Sequence, residues 1–220
     1  MGPRRVEGYG MPEPLLPHYT LRRPTEGAVV IFLREQDASG QFSYAEHGAT
    51  RDNATSPAGF NLDHNRVRLG TGETTFAAAC EALRAWRMFP VAWTTILPEA
   101  APIRIGQTVA MLAHALGFWW LSACRIVYVL DETATAGEVR RRFGFAYGTL
   151  DAHVEQGEER FSVELHADGS VWYDLRAFSR ARFWPVRLGK PLARRLQQRF
   201  VRESKAAMIA AVEPAGTAEK

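Results

Sequence analysis

The segment 143–180, FGFAYGTLDAHVEQGEERFSVELHADGSVWYDLRAFSR, constrains the fold of this 220-residue chain more than any other stretch. Two alternating, aromatic-rich runs, 160–166 and 170–178, flank Ala167, Asp168 and Gly169. An Asp-Gly pair between such runs predicts a β-hairpin, because the glycine accepts the positive φ that a tight turn demands. With 143–150 as a further run, the segment reads as an antiparallel meander.

In that further run, alternation puts Phe143, Phe145, Tyr147 and Thr149 on one face and Gly144, Ala146 and Gly148 on the other. A face of small residues implies a close approach, by a closing helix or a bound ligand. The connection that follows carries His153, Gly157, Glu158 and Glu159. Adjacent glutamates on a strand point to opposite faces, and Glu159 shares its side with Phe161, Val163 and Leu165. Glu159 is therefore the expected interior carboxylate. Burial raises the pKa of such a group and can tune it as a general acid or base, with Tyr147 and His153 as partners. A structural network is the competing reading, with Glu159 bonded to Tyr147 or Thr149 or salt-bridged to Arg125 or Arg176.

Residues 105–130, IGQTVAMLAHALGFWWLSACRIVYVL, are apolar enough to raise a transmembrane helix. Gly117 splits the segment, Arg125 interrupts it, and its second half is β-branched, so two adjacent strands walling an apolar interior are expected instead. Strands apolar on both faces imply covering helices or a ligand cavity.

Elsewhere, a short strand over 66–72 is expected to run into a helix over 75–88 that Pro90 stops. Gly70 and Gly72 read as a tight turn, since a GxG alone is a weak anion cradle. The apolar run 28–33 predicts an edge strand or an extension lying across the main domain. Trp184, Pro185 and Gly189 punctuate the chain before a long amphipathic C-terminal helix with the stripe Leu192, Leu196, Phe200, Ser204, Ala207, Met208 and Ala211.

Net charge is only +3, yet residues 176–205 carry ten basic residues against the single acid Glu203. A basic helix facing an acidic loop is self-complementary, and peripheral contact with an anionic membrane through that helix is the alternative. No nucleic-acid module is recognisable, so no nucleic-acid partner is expected. Cys80 and Cys124 read as buried free thiols, and no secretory signal precedes them, which points to the cytoplasm. Without a nucleophile elbow, HExxH or CxxC, no metal or cofactor is expected.

The order strand, helix, antiparallel strands, long closing helix predicts an α+β fold in which a curved antiparallel sheet wraps around the C-terminal helix, a helix-grip architecture. Expected boundaries are an N-terminal extension over 1–41, one domain over 42–212 and a tail over 213–220. FSYAEHGAT at Phe42, RLGTGETTF at Arg68, ALRAWRMF at Ala82, CRIVYVLDE at Cys124, GFAYGTLDAHVEQGEERF at Gly144 and SVWYDLRAFSR at Ser170 resemble the bacterial and plant family catalogued as domain of unknown function nineteen-ninety. The resemblance implies a compact α+β domain similar in outline to START-like and birch-pollen-allergen-like binders of hydrophobic ligands. It supplies no reaction.

Three functions follow as expectations. The first is binding of a small hydrophobic or amphipathic ligand between sheet and C-terminal helix, with a lining drawn from Trp119, Tyr128, Phe145, Tyr147, Thr149, Trp172 and Phe178, together with Trp120. The second is acid/base catalysis of a cyclisation, dehydration or isomerisation by Tyr147, His153 and Glu159. The third is an interaction module that uses the basic helix.

Overall fold

A computed structural model describes residues 18–51, 57–182 and 190–213. The expectations for the two tails, for part of the polar loop after Gly48, and for Trp184, Pro185 and Gly189 lie outside the described residues. In chain order the elements are β1 (His18–Thr20), α1 (Glu26–Ser39), β2 (Asn61–Thr71), α2 (Gly72–Arg84), β3 (Thr94–Leu97), β4 (Thr108–Ala115), β5 (Phe118–Thr133), β6 (Val139–Thr149), β7 (Glu155–His166), β8 (Ser170–Ala181) and α3 (Lys190–Val212). Seven strands form one antiparallel sheet in the order β2-β8-β7-β6-β5-β4-β3, and β1 pairs with the start of β5. This is the expected helix-grip α+β architecture.

The predicted hairpin is present: Gly169 has φ 80°, and Leu165 faces Val171 across the turn. Residues 105–130 form the β4–β5 hairpin, turned at Leu116 and Gly117 with φ 58° and 78°. Among the described residues, no helix is long and apolar enough to cross a membrane.

One face of the sheet carries the main core. Phe145, Phe161 and Tyr173 have no exposed surface there, and α2 and the end of α3 cover them through Phe76, Leu83, Trp86 and Met208. The roof is thus two helices rather than the single closing helix that was expected. The α2 helix also ends earlier than Pro90 would dictate. Trp86 adopts φ 55°, and bonds from Trp86 N–H to Leu83 O (3.0 Å) and Arg87 N–H to Ala82 O (2.9 Å) close a Schellman turn, so the chain leaves the helix to insert the Trp86 ring into the core. Its start also precedes the expected one, and β2 extends five residues upstream of the predicted strand.

The outer face differs from expectation in two places. Residues 28–33 are helical, inside α1, instead of an edge strand. Thr25 caps the helix by accepting from Ala28 N–H at 3.3 Å, and Gly40 ends it with φ 67°. Its buried residues Val29, Phe32 and Gln36 follow a helical period and pack over β4 and β5, while Val30 and Ile31 stay exposed. The small face of β6 is occupied neither by the closing helix nor by the cleft. The Tyr44 side chain lies on Gly148, and a Cβ there would fall on its hydroxyl.

Candidate functional site

The helix-bearing face is filled over only part of its area. Ser204 and Met208 of α3 are buried, but the N-terminal half of the helix stands off the sheet, with Leu192 exposed and Leu196 and Phe200 half-buried. Beneath that half the sheet presents short side chains, among them Ala113, Ala115, Ser122 and Ala177. Small residues below a raised helix leave a cleft of about 850 Å³.

Three residue pairs tie the helix across this cleft. Arg194 makes a bidentate pair with Asp63 of β2 at 2.5 and 2.6 Å. Gln197 donates to Glu155 Oε1 at 2.7 Å. On the other flank Trp93 Nε1–H donates to Glu203 Oε2 at 2.7 Å, while Arg199 bonds Glu203 Oε1 at 2.7 Å and lies 4.8 Å over the Trp93 ring. Part of the basic helix is thus neutralised internally, whereas Arg202 is largely exposed.

The cleft has unlike ends. Towards β3 and β4 the wall is Trp93, Met111, Ala113 and Trp120, and towards β6 and β7 it is Tyr147, Thr149, His153, Glu155 and Glu159. Tyr147 donates its hydroxyl to Glu159 Oε2 at 2.9 Å. Burial, against the help of that bond, pushes the Glu159 carboxyl up to about 7, and burial pushes Glu155 up to about 6. The Tyr147 hydroxyl is raised well above its ordinary value by burial and then by Glu159. Burial lowers His153 to about 4, so the ring is neutral at physiological pH.

His153 is not joined to the Tyr147–Glu159 pair. Its Nδ1 lies 3.0 Å from the Glu155 N–H and 3.1 Å from the Glu155 carbonyl oxygen, so the backbone of Glu155 occupies that ring nitrogen.

Of the anticipated lining, Tyr147 and Thr149 border the cleft. The Thr149 hydroxyl is held at 3.0 Å by Gly157 N–H and at 2.7 Å by Ser43 Oγ. Phe145 lies on the same face but inside the packed core, with no exposed surface. Trp119, Tyr128 and Trp172 are on the outer face, a correction set by strand phase. Trp119 stacks on His114 at 4.5 Å, Tyr128 bonds Thr50 Oγ1 at 2.7 Å, and Trp172 lies under Arg66 at 5.1 Å. Phe178 borders the cleft, but its ring packs edge-on against Tyr44 and Phe60 on the outer side. Trp120 faces the cleft in place of Trp119. Both faces of 105–130 are apolar, so only the pairing of Ala113 with Trp120 settles which tryptophan turns inward. Trp93 and Gln197 carry no sequence signal, because Trp93 reaches the cleft from the loop before β3 and Gln197 reaches it from α3.

Glu158, the outward partner of Glu159, sits in a separate buried network. It accepts from Tyr44 OH at 2.9 Å, Gly48 N–H at 2.7 Å, Thr50 N–H at 2.9 Å and the Thr50 hydroxyl. Nearby, Arg160 pairs with Asp174 at 2.8 Å, and His64 bonds the other Asp174 oxygen at 2.6 Å. Despite the cost of burial, these bonds hold the Asp174 carboxyl below its ordinary value. Arg125 and Arg176 were the expected cations for Glu159. Arg125 instead bonds Asp37 and the Gly40 carbonyl at the end of α1, and Arg176 lies on the outer face. No group of three or more potential metal ligands occurs among the described residues.

Solved structures with a similar trace include a hypothetical protein of Helicobacter pylori, with TM-score 0.45, 10% identity and coverage of 70% of this chain and 88% of that one. Ara h 8.0201 gives TM-score 0.41 at 10% identity, covering 69% of this chain and 99% of that one. Among curated sequences, a UPF0548 protein of Dictyostelium discoideum is 34% identical over 88% of this chain and 95% of its own length. A UPF0548 protein of Deinococcus radiodurans is 38% identical over 84% and 93%. One from Arabidopsis thaliana is 32% identical over 72% and 76%. Residues 43–207 match the family described as Domain of unknown function (DUF1990), and with these relatives the match places the chain in that family.

Proposed function

We propose that the protein binds one small amphipathic molecule in the cleft between the sheet and the raised half of α3. The observation that carries this reading is the cleft of about 850 Å³, walled by Trp93, Met111 and Trp120 at one end and by Tyr147, Glu155 and Glu159 at the other. Pockets of about 300–1,000 Å³ with an apolar wall and a few converging polar groups suit ligands of this class. Titration with the neutral dye N-phenyl-1-naphthylamine tests it. Saturable binding of one dye per chain is expected, and Ala113→Trp, which fills the apolar end, should abolish it while the far-ultraviolet spectrum stays native. Undiminished binding by a folded Ala113→Trp variant refutes the reading.

A second reading is acid/base chemistry on a molecule in the same cleft. The Glu159 carboxyl, raised to about 7 and hydrogen-bonded to Tyr147, is poised to exchange a proton near neutrality. The His153 Nδ1, occupied by the backbone, lies outside that pair.

A further inference from the structure

We propose that one end of the molecule, formed by β1 and by the turns before β3 and between β4 and β5, docks on an anionic lipid surface. The proposal goes beyond the ligand-binding reading and stands whether or not the cleft is occupied. The turn before β3 runs from Pro90 to Trp93 and is closed by Trp93 N–H to Pro90 O at 3.2 Å. It lies beside the β4–β5 turn, because His114 N–H bonds Trp93 O at 2.8 Å two residues before the tip at Leu116 and Gly117. β1 completes this end. Tyr19 pairs with Trp120, and its ring lies 5.4 Å from the Trp120 ring and 5.9 Å from that of Phe118.

The tips at this end are apolar where turns are ordinarily polar. Val91 is 89% exposed, Leu116 55% and Tyr19 52%, and Leu21, directly after β1, is exposed as well. Leu116 has φ 58°, in the left-handed region that penalises a side chain and that asparagine, aspartate or glycine fills in hairpin turns. More than half of that leucine remains exposed, so burial within the chain offsets little of the penalty. Insertion among acyl chains supplies the missing burial. The exposed apolar groups also stand on separate turns instead of forming one face, which suits entry between lipid head groups better than contact with a second folded chain.

Cations surround these tips. Arg23 lies 5.5 Å over the Trp119 ring, and the exposed Arg22 precedes it. Arg199 lies 4.8 Å over the Trp93 ring, and Arg202 and Lys205, further along the same helix, border the cleft. The acids at this end are Glu26, which begins α1, and Glu203, already bonded by Arg199 and Trp93. Five cations thus stand against two acids, with tyrosine and tryptophan among them, the residues that settle at head-group level in a bilayer. Ala115, Leu116 and Trp120 also wall the cleft, so its apolar end reaches the surface at the docking face.

Co-sedimentation with vesicles at low salt tests the proposal. Partition onto vesicles of equal parts phosphatidylserine and phosphatidylcholine should exceed that onto phosphatidylcholine alone by at least about tenfold, as the excess of cations implies. The Val91→Ser/Leu116→Asn variant should lose at least about tenfold of that partition. Asparagine suits the left-handed turn, so the variant should keep a native far-ultraviolet spectrum. Insertion is read separately by a polarity-sensitive dye on Leu116→Cys, since Cys80 and Cys124 are buried. Its emission should shift to the blue on the mixed vesicles. Equal partition onto the two vesicles, no partition, undiminished partition of the folded double variant, or a dye left in water on the bound chain overturns the proposal. A concentration-dependent dimer that the double variant loses overturns it too, because the tips then belong to a second copy of the chain. The N-phenyl-1-naphthylamine titration is run without vesicles, so the ligand reading and this one can each fail alone.

Discussion

Glu158 and Glu159 are neighbours in sequence with opposite environments, because a strand turns successive side chains to opposite faces. Glu158 is supplied with four donors, whereas Glu159 has one and borders the cleft. This makes a pH prediction with a definite sign. The native state holds the Glu159 proton up to about pH 7, against an ordinary value of 4.5. Its contribution to stability is complete below 4.5 and is lost as pH rises through 7. Glu155 behaves likewise up to about 6. His153 runs the other way, because a lowered value near 4 makes the native state lose stability as pH falls below 6.5. The difference in urea midpoint between wild type and Glu159→Gln removes that common contribution. The Gln variant should gain on wild type between pH 5 and 8, by about 1–3 kcal/mol at the top of the range. A difference that stays constant across the range sinks the assignment.

The inward direction of Glu159 was legible from alternation alone, since it shares phase with Phe161 and Val163. The Glu158 network was not, because its donors come from residues 44–50, more than 100 positions away in the chain.

At the element scale, one glycine makes the room in which the segment 42–50 seats its tyrosine on the sheet. Gly148 makes room for Tyr44, and the Tyr44 hydroxyl is fixed by its bond to Glu158. Gly148→Ala should therefore destabilise the protein by about 2–3 kcal/mol, as overpacking of a closed site does. Tyr44→Ala in the same background should cost less than the two single changes added together, since the clash disappears with the ring. Strictly additive urea-denaturation energies would place Tyr44 elsewhere. The sequence announced that something must approach 144–148 closely but not which element, because glycine records space and not its occupant. The same limit applies to 28–33. A run of valine, isoleucine and phenylalanine suits a buried strand, and only the Thr25 cap and the docking of Val29 and Phe32 on β4 and β5 resolve it as a helix.

At the scale of the molecule, α3 is one helix with two roles. Its C-terminal half is part of the core through Ser204, which bonds Tyr173 OH at 2.9 Å, and through Met208. Its N-terminal half is the lid beam of the cleft, held by side-chain bonds to Asp63 and Glu155 and by Arg199 over the Trp93 ring. Backbone amides of 194–200 should exchange with deuterium at least about tenfold faster than those of 204–211, because local opening there breaks few apolar contacts. Uniform protection along the helix would show that the raised half is packed as tightly as the rest.

Local features could be read from the residues alone: the Asp-Gly hairpin, the alternation that turns Glu159 inward, the amphipathic closing helix and the strands within 105–130. Each follows from steric and periodic rules acting over a few residues. Strand phase where both faces are apolar, the occupant of the small face of β6, the second roof helix and the cleft itself were decided by tertiary structure. The cleft exists because short side chains on several strands happen to lie beneath the half of α3 that stands off the sheet, a coincidence of distant positions that no local pattern encodes.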